Sequence, residues 1–384
     1  MSCSNTKYFL ERNHVPYNPK RITPIQGWIS YTEPSDELNF ITIKKLLRFI
    51  SGVHNHYRYT PMMLYIDFSR VRTIDKLTMQ VLESVIYSLI VDYGHRVVIN
   101  IHIDKQIHSE GFAYTPLYYL GRKNYDAVKF KQAYEGNTQI NHYRKVVPVE
   151  WTYEGKLGEY ILPDVIQTIS NTVADDSFCF ALAEVVTELI NNANEHNNSD
   201  CLFDLDISNG YRKVNDPEGL YVGVNLSVIS FSEKDITTDL SKKIESGKYE
   251  GARYRLVANA YEKHKDFFNE NYTPRDFFMT AAFQNRISGR ENDNDSGGTG
   301  LTKLIQSLEE YSDSHECYMV SNDRAMYFVH DLLEYDSNGY VGFNYEKDFH
   351  NNPPNSDIFI TSPIIIPGIA YNLSFVYKKG VDKS

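Results

Sequence analysis

The pattern of apolar and polar positions divides the chain into two regions with different element orders. In the first region, residues 63–68 and 96–103 are short apolar runs, and apolar residues recur at helical spacing over 74–91 between them. A strand, a helix and a strand in so short a length predict a parallel βαβ crossover and hence a small α/β domain. A further helix is predicted over 36–52.

From about residue 149 the order changes to helices followed by strands. Helices are predicted over 161–174 and 176–197, and the strands predicted over 201–208 and 220–231 flank a loop rich in Asn, Gly and Asp, which indicates a hairpin. The remaining predicted elements are a mostly helical segment over 233–290, a helix over 299–311, and strands near 316–321, 325–331, 357–361 and 370–377. This order predicts an α+β sandwich with helices on one face of a mixed sheet.

The composition indicates how many domains the chain forms and in which cellular compartment it is expected. The 384 residues, 42% hydrophobic and 23% charged, fit two globular domains, predicted as 1–148 and 149–384. The net charge of -11, with both signs interspersed, argues against a general nucleic-acid-binding surface. The cysteines lack metal-binding spacing, the N-terminus lacks an apolar signal segment, and no apolar run could span a bilayer. We therefore expect a soluble, cytoplasmic protein that does not use a membrane.

One side of the predicted helix 176–197 carries polar residues in line. Glu188, Asn192 and His196 are spaced four apart, slightly more than one helical turn, while residues such as Leu189 form the apolar stripe. An amide oxygen is a neutral hard ligand for Mg²⁺, and a carboxylate one turn away can orient or deprotonate water. A solvated polar face would have the same pattern, so both interpretations stay open.

A polar, glycine-rich run precedes the predicted helix 299–311. Gly297, Gly298 and Gly300 let the backbone approach an anion, and the free N–H groups at a helix start can hold phosphate. The run does not match the GxxxxGK[ST] pattern, so it is not a P-loop. An ordinary surface loop is the alternative interpretation.

Together, and in this order, the two features resemble the GHKL superfamily of ATP-binding ATPases and kinases. The Glu-x3-Asn-x3-His helix is similar to the family's N-box, with a spacing closest to the anti-sigma-factor serine kinases. The 298–301 loop is similar to the glycine motif at the end of the family's ATP lid. The resemblance covers roughly 150–384 and implies a Bergerat-type site for ATP and Mg²⁺, with a lid at about 237–300.

The resemblance also implies roles for single residues. Glu188 would be the general base, Asn192 the Mg²⁺ ligand, and His196 a family position without a firm chemical role. The implied phosphate-binding loop consists of Gly297, Gly298, Thr299, Gly300 and Leu301, with Thr302 and Lys303 at its end.

Two positions depart from the family pattern. Ser230 stands where the family has the Asp that accepts a hydrogen bond from the adenine amino group, and Ile369 stands where a Thr is expected. A serine hydroxyl can accept a hydrogen bond, but it lacks the charge assistance worth about 1–2 kcal/mol. The resemblance therefore implies an intact phosphate end and an altered adenine end.

The implied function is a Mg-ATP-dependent switch or ATPase in a signalling or defence complex, with a protein partner or a homodimer. One alternative is a serine/threonine protein kinase of the anti-sigma type, and another is a degenerate module that senses nucleotide or binds a partner without hydrolysis. The N-terminal βαβ unit, with Asp67-Phe68-Ser69 at a strand end, faintly resembles STAS-type domains, which partner GHKL kinases in some signalling systems.

Overall fold

The computed structural model describes residues 6–16, 22–102, 114–284, 287 and 300–380. Its N-terminal part contains α1 (Thr6–Arg12), β1 (Trp28–Thr32), β2 (Glu37–Leu38), α2 (Phe40–Tyr57), β3 (Met63–Phe68), β4 (Arg72–Thr73), α3 (Lys76–Val91) and β5 (Arg96–Ile101). After a 3-10 helix at Pro116–Leu120 come α4 (Ala127–Glu135), β6 (Gly136–Gln139) and β7 (His142–Val147).

The rest of the chain contains the longer elements. The helices that follow β7 are α5 (Val149–Tyr153), α6 (Leu157–Tyr160), α7 (Leu162–Ser170) and α8 (Asp176–Asn197). Next come β8 (Cys201–Ile207), β9 (Tyr211–Lys213), β10 (Asp216–Phe231), α9 (Thr238–Glu245), α10 (Ala252–His264), α11 (Pro274–Ala281), α12 (Gly300–Tyr311), β11 (Ser314–Tyr327) and β12 (Phe359–Lys379).

The N-terminal strands form a small parallel sheet in the order β1-β3-β5. The parallel pairing of β3 with β5, on either side of α3 in the chain, confirms the predicted βαβ unit. Along β3, Leu64, Ile66 and Phe68 are buried and alternate with partly exposed residues, as expected for a sheet that is covered on one face by helices. The sequence pattern did not identify β1, which extends this sheet.

A second, seven-stranded sheet has the order β11-β12-β10-β8-β7-β6, with β9 beside β10. Every pairing described in it is antiparallel, so the predicted mixed sheet is wrong. The physical reason is that short turns join β6 to β7 and β8 to β10 through β9, and short turns return the chain antiparallel. The sheet begins at Gly136, within the region assigned by sequence to the first domain.

Both faces of the seven-stranded sheet are covered. Helices α8 and α12 pack on one face, while α1, α2 and α3 of the N-terminal part pack on the other. The expectation of helices on one face alone is therefore incomplete, because the second face is covered by the preceding part of the chain. The resulting order of layers is the three-stranded sheet, α1–α3, the seven-stranded sheet, and the C-terminal helices.

Helix α8 has the predicted bounds because its ends are chemically marked. The side chain of Asp175 accepts a hydrogen bond from the backbone N–H of Phe178 (3.0 Å), and the helix ends at Asn198 in the left-handed conformation (φ 48°). Its predicted apolar stripe is buried, including Leu182 and Val186. Each such side chain contributes about 1.5–3 kcal/mol on burial.

Among the described helices, none has the length and apolar character required to cross a membrane.

The segment between β10 and α12 is anchored to the sheet. Helix α11 is capped by Thr273, whose side chain forms a capping box with Asp276. The buried carboxylate of Asp276 also accepts two hydrogen bonds from the guanidinium of Arg324 on β11, each 2.8 Å long. A bidentate pair of this kind fixes both position and orientation, so α11 is held firmly against the sheet edge.

Two buried histidines connect α2 to the start of β5. The backbone N–H of Met62 donates to Nδ1 of His95 (3.0 Å), so His95 carries its ring proton on Nε2 and donates it to Nε2 of His54 (3.1 Å). Burial, the main cause, lowers the pKa of each histidine to about 4. Both rings are therefore neutral in the native protein near neutral pH.

We expect acid to destabilise the protein through this pair. Because the folded pKa values lie near 4 and the ordinary value is 6.5, the unfolded chain binds protons that the folded chain does not, and stability falls as pH falls through this window. The variant His54→Gln keeps an acceptor for His95 but removes one titration. Urea unfolding midpoints between pH 6.5 and pH 4 should therefore fall less steeply in His54→Gln than in the wild type.

The matched control for this measurement is His56→Gln, because His56 is exposed on the same helix. Its unfolding midpoint should follow the pH profile of the wild type. Parallel profiles for the wild type and His54→Gln would contradict the expected role of the buried pair.

Candidate functional site

The two principal residues of the predicted site lie on the partly exposed side of α8. Glu188 and Asn192 are half-buried, whereas their neighbours Leu189 and Ala193 are fully buried in the core. Within the described part of the chain, neither Glu188 nor Asn192 forms a side-chain hydrogen bond. His196 belongs to the same helix, but its side chain lies outside the described residues. The carboxylate and the amide are thus one turn apart and available to a ligand.

Helix α12 runs alongside α8 in the opposite direction. The ring of Phe178, near the start of α8, contacts the ring of Tyr311 at the end of α12 (centroids 5.6 Å apart). Leu182 and Val185 of α8 line a small apolar cavity together with Leu304 of α12. At a rise of about 1.5 Å per residue, Glu188 on α8 and the start of α12 are then at the same level. The N-terminus of α12 therefore faces the Glu188–Asn192 end of α8.

The predicted phosphate loop is only partly within the described residues. Gly297, Gly298 and Thr299 lie outside them, and α12 begins at Gly300. Leu301 and Lys303 follow in the helix, but their side chains also lie outside the described residues. Thr302 is buried, and its hydroxyl donates to the carbonyl of Phe283 (3.5 Å), so this side chain contacts the protein interior.

The two positions that depart from the family pattern are cross-strand partners. Ser230 on β10 is directly opposite Ile369 on β12, and both are 1% exposed. The hydroxyl of Ser230 lies 2.8 Å from that of Ser199 and donates to the carbonyl of Asp200 (3.3 Å). This end of β10 is therefore bonded to the short connection between α8 and β8.

Comparisons with protein-family models, with curated proteins and with solved structures find no match to this chain. The assignment of a nucleotide site between α8 and α12 depends on the residue pattern and on this geometry.

A second polar site, which the sequence did not reveal, lies between α3 and the seven-stranded sheet. Its ionisable members, here called the interlayer cluster, are Lys76 and Glu83 of α3, His142 and Arg144 of β7, and Asp204 and Asp206 of β8. All six side chains are buried.

The contacts of the interlayer cluster form two adjoining groups. The ammonium of Lys76 lies 3.0 Å from Oδ1 of Asp204 and also contacts Asp206. Oδ1 of Asp206 lies 2.9 Å from Nδ1 of His142. The guanidinium of Arg144 donates to Asp204 through Nε (2.7 Å) and contacts Glu83. The helix is thereby connected to two strands of the sheet.

The electrostatics of the cluster favour ionised pairs. Burial alone would lower the pKa of Lys76, but Asp204 and Asp206 offset this effect and raise it. Burial alone would raise the pKa of Asp206, but Lys76 and His142 offset this effect and lower it to about 2. Burial raises the pKa of Glu83, although Arg144 opposes the shift. Lys76 and Arg144 thus each contact two of the cluster's three carboxylates.

The same residues include a donor set that a metal ion could use. Ligand atoms of His142, Asp204 and Asp206 all lie within 4.8 Å of one another. The ammonium of Lys76, however, already contacts both carboxylates, and a dication added to it would leave an excess of positive charge in a buried site. Lys76 thus supplies the positive charge that a metal would bring.

One signal in the sequence could have indicated the interlayer cluster. Lys76, Gln80 and Glu83 are spaced as neighbours along one side of α3, and Gln80 donates to the carbonyl of Leu202 on β8 (3.3 Å). Asp204 and Asp206 alternate with apolar residues in β8, a pattern typical of a strand with one face in water. Here that face is covered by α3.

We expect Lys76→Met to lower the free energy of unfolding by about 3–5 kcal/mol, because it leaves buried carboxylates without their cation. The control is Lys7→Met, which removes an exposed i,i+4 pair with Glu11 (3.7 Å) and should change stability by less than about 0.5 kcal/mol. Adding Asp206→Asn to Lys76→Met should recover part of the loss. Urea unfolding measures all three variants, and equal, small effects of Lys76→Met and Lys7→Met would contradict the proposed role.

Proposed function

We propose that this chain is a nucleotide-driven switch that binds Mg-ATP between α8 and the start of α12 and hydrolyses it slowly. The observation that carries this proposal is the antiparallel packing of the two helices, which brings the N-terminus of α12 level with Glu188 and Asn192. The first N–H groups of a helix and its dipole favour phosphate. A glycine-rich run immediately before this helix lets a phosphate approach the backbone.

The donor set fits magnesium bound together with a nucleotide. Mg²⁺ keeps several waters and takes most of its remaining ligands from phosphate oxygens, so one protein oxygen is sufficient. The half-buried amide of Asn192 offers that oxygen, and the carboxylate of Glu188, one turn away, can accept a proton from an attacking water. When bound, the ion would neutralise phosphate charge.

The part of the proposed site that would hold the base differs from the part that would hold the phosphates. The hydroxyl of Ser230 is buried and already bonded to Ser199 and to the carbonyl of Asp200, so it is not free to read a base. Specific rejection of a wrong base requires buried polar groups that are left unpaired when it binds. We therefore propose that the site recognises the phosphates and the metal rather than the base.

The same site could serve a protein kinase, in which a hydroxyl of a partner protein replaces water as the nucleophile. Transfer of label from γ-labelled ATP to a partner protein, rather than release of free phosphate, would support the kinase over the ATPase.

The first test is Glu188→Gln, which removes the base but keeps the size of the side chain. We expect the rate of ATP hydrolysis at saturating Mg-ATP to fall about 100-fold or more, while nucleotide affinity is retained. The control is Glu184→Gln, one turn earlier on the same helix, where the residue is exposed. Binding without any difference in turnover among the wild type and the two variants would favour a non-hydrolysing nucleotide-sensing module.

The second test concerns base selectivity. Calorimetry with Mg-ATP and Mg-GTP should give dissociation constants within about tenfold of each other, because the Ser230 hydroxyl is already bonded within the protein. The variant Ser230→Ala should leave both affinities nearly unchanged. A selective loss of ATP affinity in Ser230→Ala would show instead that this hydroxyl contacts adenine.

A further inference from the structure

A cleft of about 380 Å³ lies in the N-terminal part, away from the α8–α12 site. One wall is formed by Tyr65 of β3 and by the end of β5, including Asn100 and Ile101. The other wall is the 3-10 helix Pro116–Leu120 and the turn 121–124 that follows it. Ligands of parallel sheets commonly bind at the carboxyl ends of the strands, and a volume of this size suits a small organic molecule.

The cleft is lined by two cations, Arg122 and Lys123, and none of its described lining residues is acidic. Neither cation forms an ion pair or a side-chain hydrogen bond with another described residue. In a chain with a net charge of -11, two unpaired cations at the mouth of one cleft favour an anionic ligand.

The turn that presents the two cations is fixed by its own hydrogen bonds. The side-chain amide of Asn124 donates to the carbonyl of Tyr118 (2.6 Å), and its backbone N–H donates to the carbonyl of Gly121 (3.2 Å). Directly beyond it, the backbone N–H of Asp126 donates to the carbonyl of Tyr119 (2.7 Å). A turn held in this way lowers the entropy lost on binding.

The opposite wall of the cleft contains a hydrogen-bond acceptor, the amide oxygen of Asn100, and the aromatic ring of Tyr65. The amide nitrogen of Asn100 donates to Oδ1 of Asp67 (3.1 Å), which assigns the amide and leaves its oxygen as an acceptor. Asp67 also accepts from the backbone N–H of Ser69 (2.9 Å), so a second hydrogen bond fixes the carboxylate that orients the Asn100 amide. Tyr65 and Tyr118, on opposite walls, supply aromatic surface.

We propose that this cleft binds a small organic anion whose planar ring carries a hydrogen-bond donor. The anionic group pairs with Arg122 and Lys123, the ring packs against Tyr65 and Tyr118, and the ring donor reaches the amide oxygen of Asn100. The proposal is independent of the nucleotide site.

Calorimetry with three probes tests each part of the proposal on the full chain. Indole-3-acetate has the anion, the ring and the N–H donor, naphthalene-1-acetate lacks the donor, and indole lacks the anion. We expect indole-3-acetate to bind with a dissociation constant below about 1 mM, and the other two probes to bind at least about tenfold more weakly. The absence of binding by indole-3-acetate, or equal binding by indole, would overturn the proposal.

Charge reversal locates the site. The double variant Arg122→Glu, Lys123→Glu should weaken indole-3-acetate binding at least about tenfold, because it replaces attraction by repulsion. The matched control is Lys242→Glu, Lys248→Glu, which changes net charge equally at exposed positions outside the cleft and should bind as the wild type does. Equal affinity of indole-3-acetate for the two double variants would place the binding elsewhere and refute this site.

Discussion

The contact of the Lys76 ammonium with Asp204 and Asp206 is the interaction on which the layered structure depends. It connects α3, which is buried along nearly its whole length, to the middle of the seven-stranded sheet. Apolar contacts are non-directional, so they hold two layers together in many relative positions. Buried charged pairs, in contrast, require one relative position in which each charge meets its partner. The interlayer cluster therefore sets the register between the N-terminal helices and the sheet, and with it the position of the three-stranded sheet beyond them.

Strand β8 relates this cluster to the candidate nucleotide site. Only three residues separate the end of α8 from the start of β8. The alternate residues of β8 belong to different layers: Asp204 and Asp206 face α3, while Phe203 and Leu205 face the C-terminal helices. The connection between α8 and β8 is in turn bonded to Ser230 at the end of β10. A short, hydrogen-bonded connection thus joins the helix of the candidate site to the strand that carries the cluster's carboxylates.

Local signals explain which elements could be predicted from the sequence. Helix α8 was predicted with its full bounds because Asp175 caps its start and its apolar stripe is regular. Strands β11 and β12 were each predicted as two pieces, because their register shifts around Asn322, which has a left-handed φ of 48°, interrupt the apolar pattern. The interlayer cluster was not predicted: the polar side of α3 was the available signal, because the alternation of Asp204 and Asp206 has the same form whether that face meets water or α3. For the nucleotide site, the sequence indicated Glu188 and Asn192, but only the fold brings α12 beside them.

The two positions at which the sequence differs from the GHKL pattern that it resembles are neighbours in the sheet. Ser230 and Ile369 are opposite one another on adjacent strands and are equally buried. Ser230 satisfies its hydroxyl locally, and Ile369 completes the apolar packing, which leaves that end of the sheet closed by its own contacts. In the proposed site, the free energy of binding must then come from the phosphates and Mg²⁺ at the Glu188–Asn192 end.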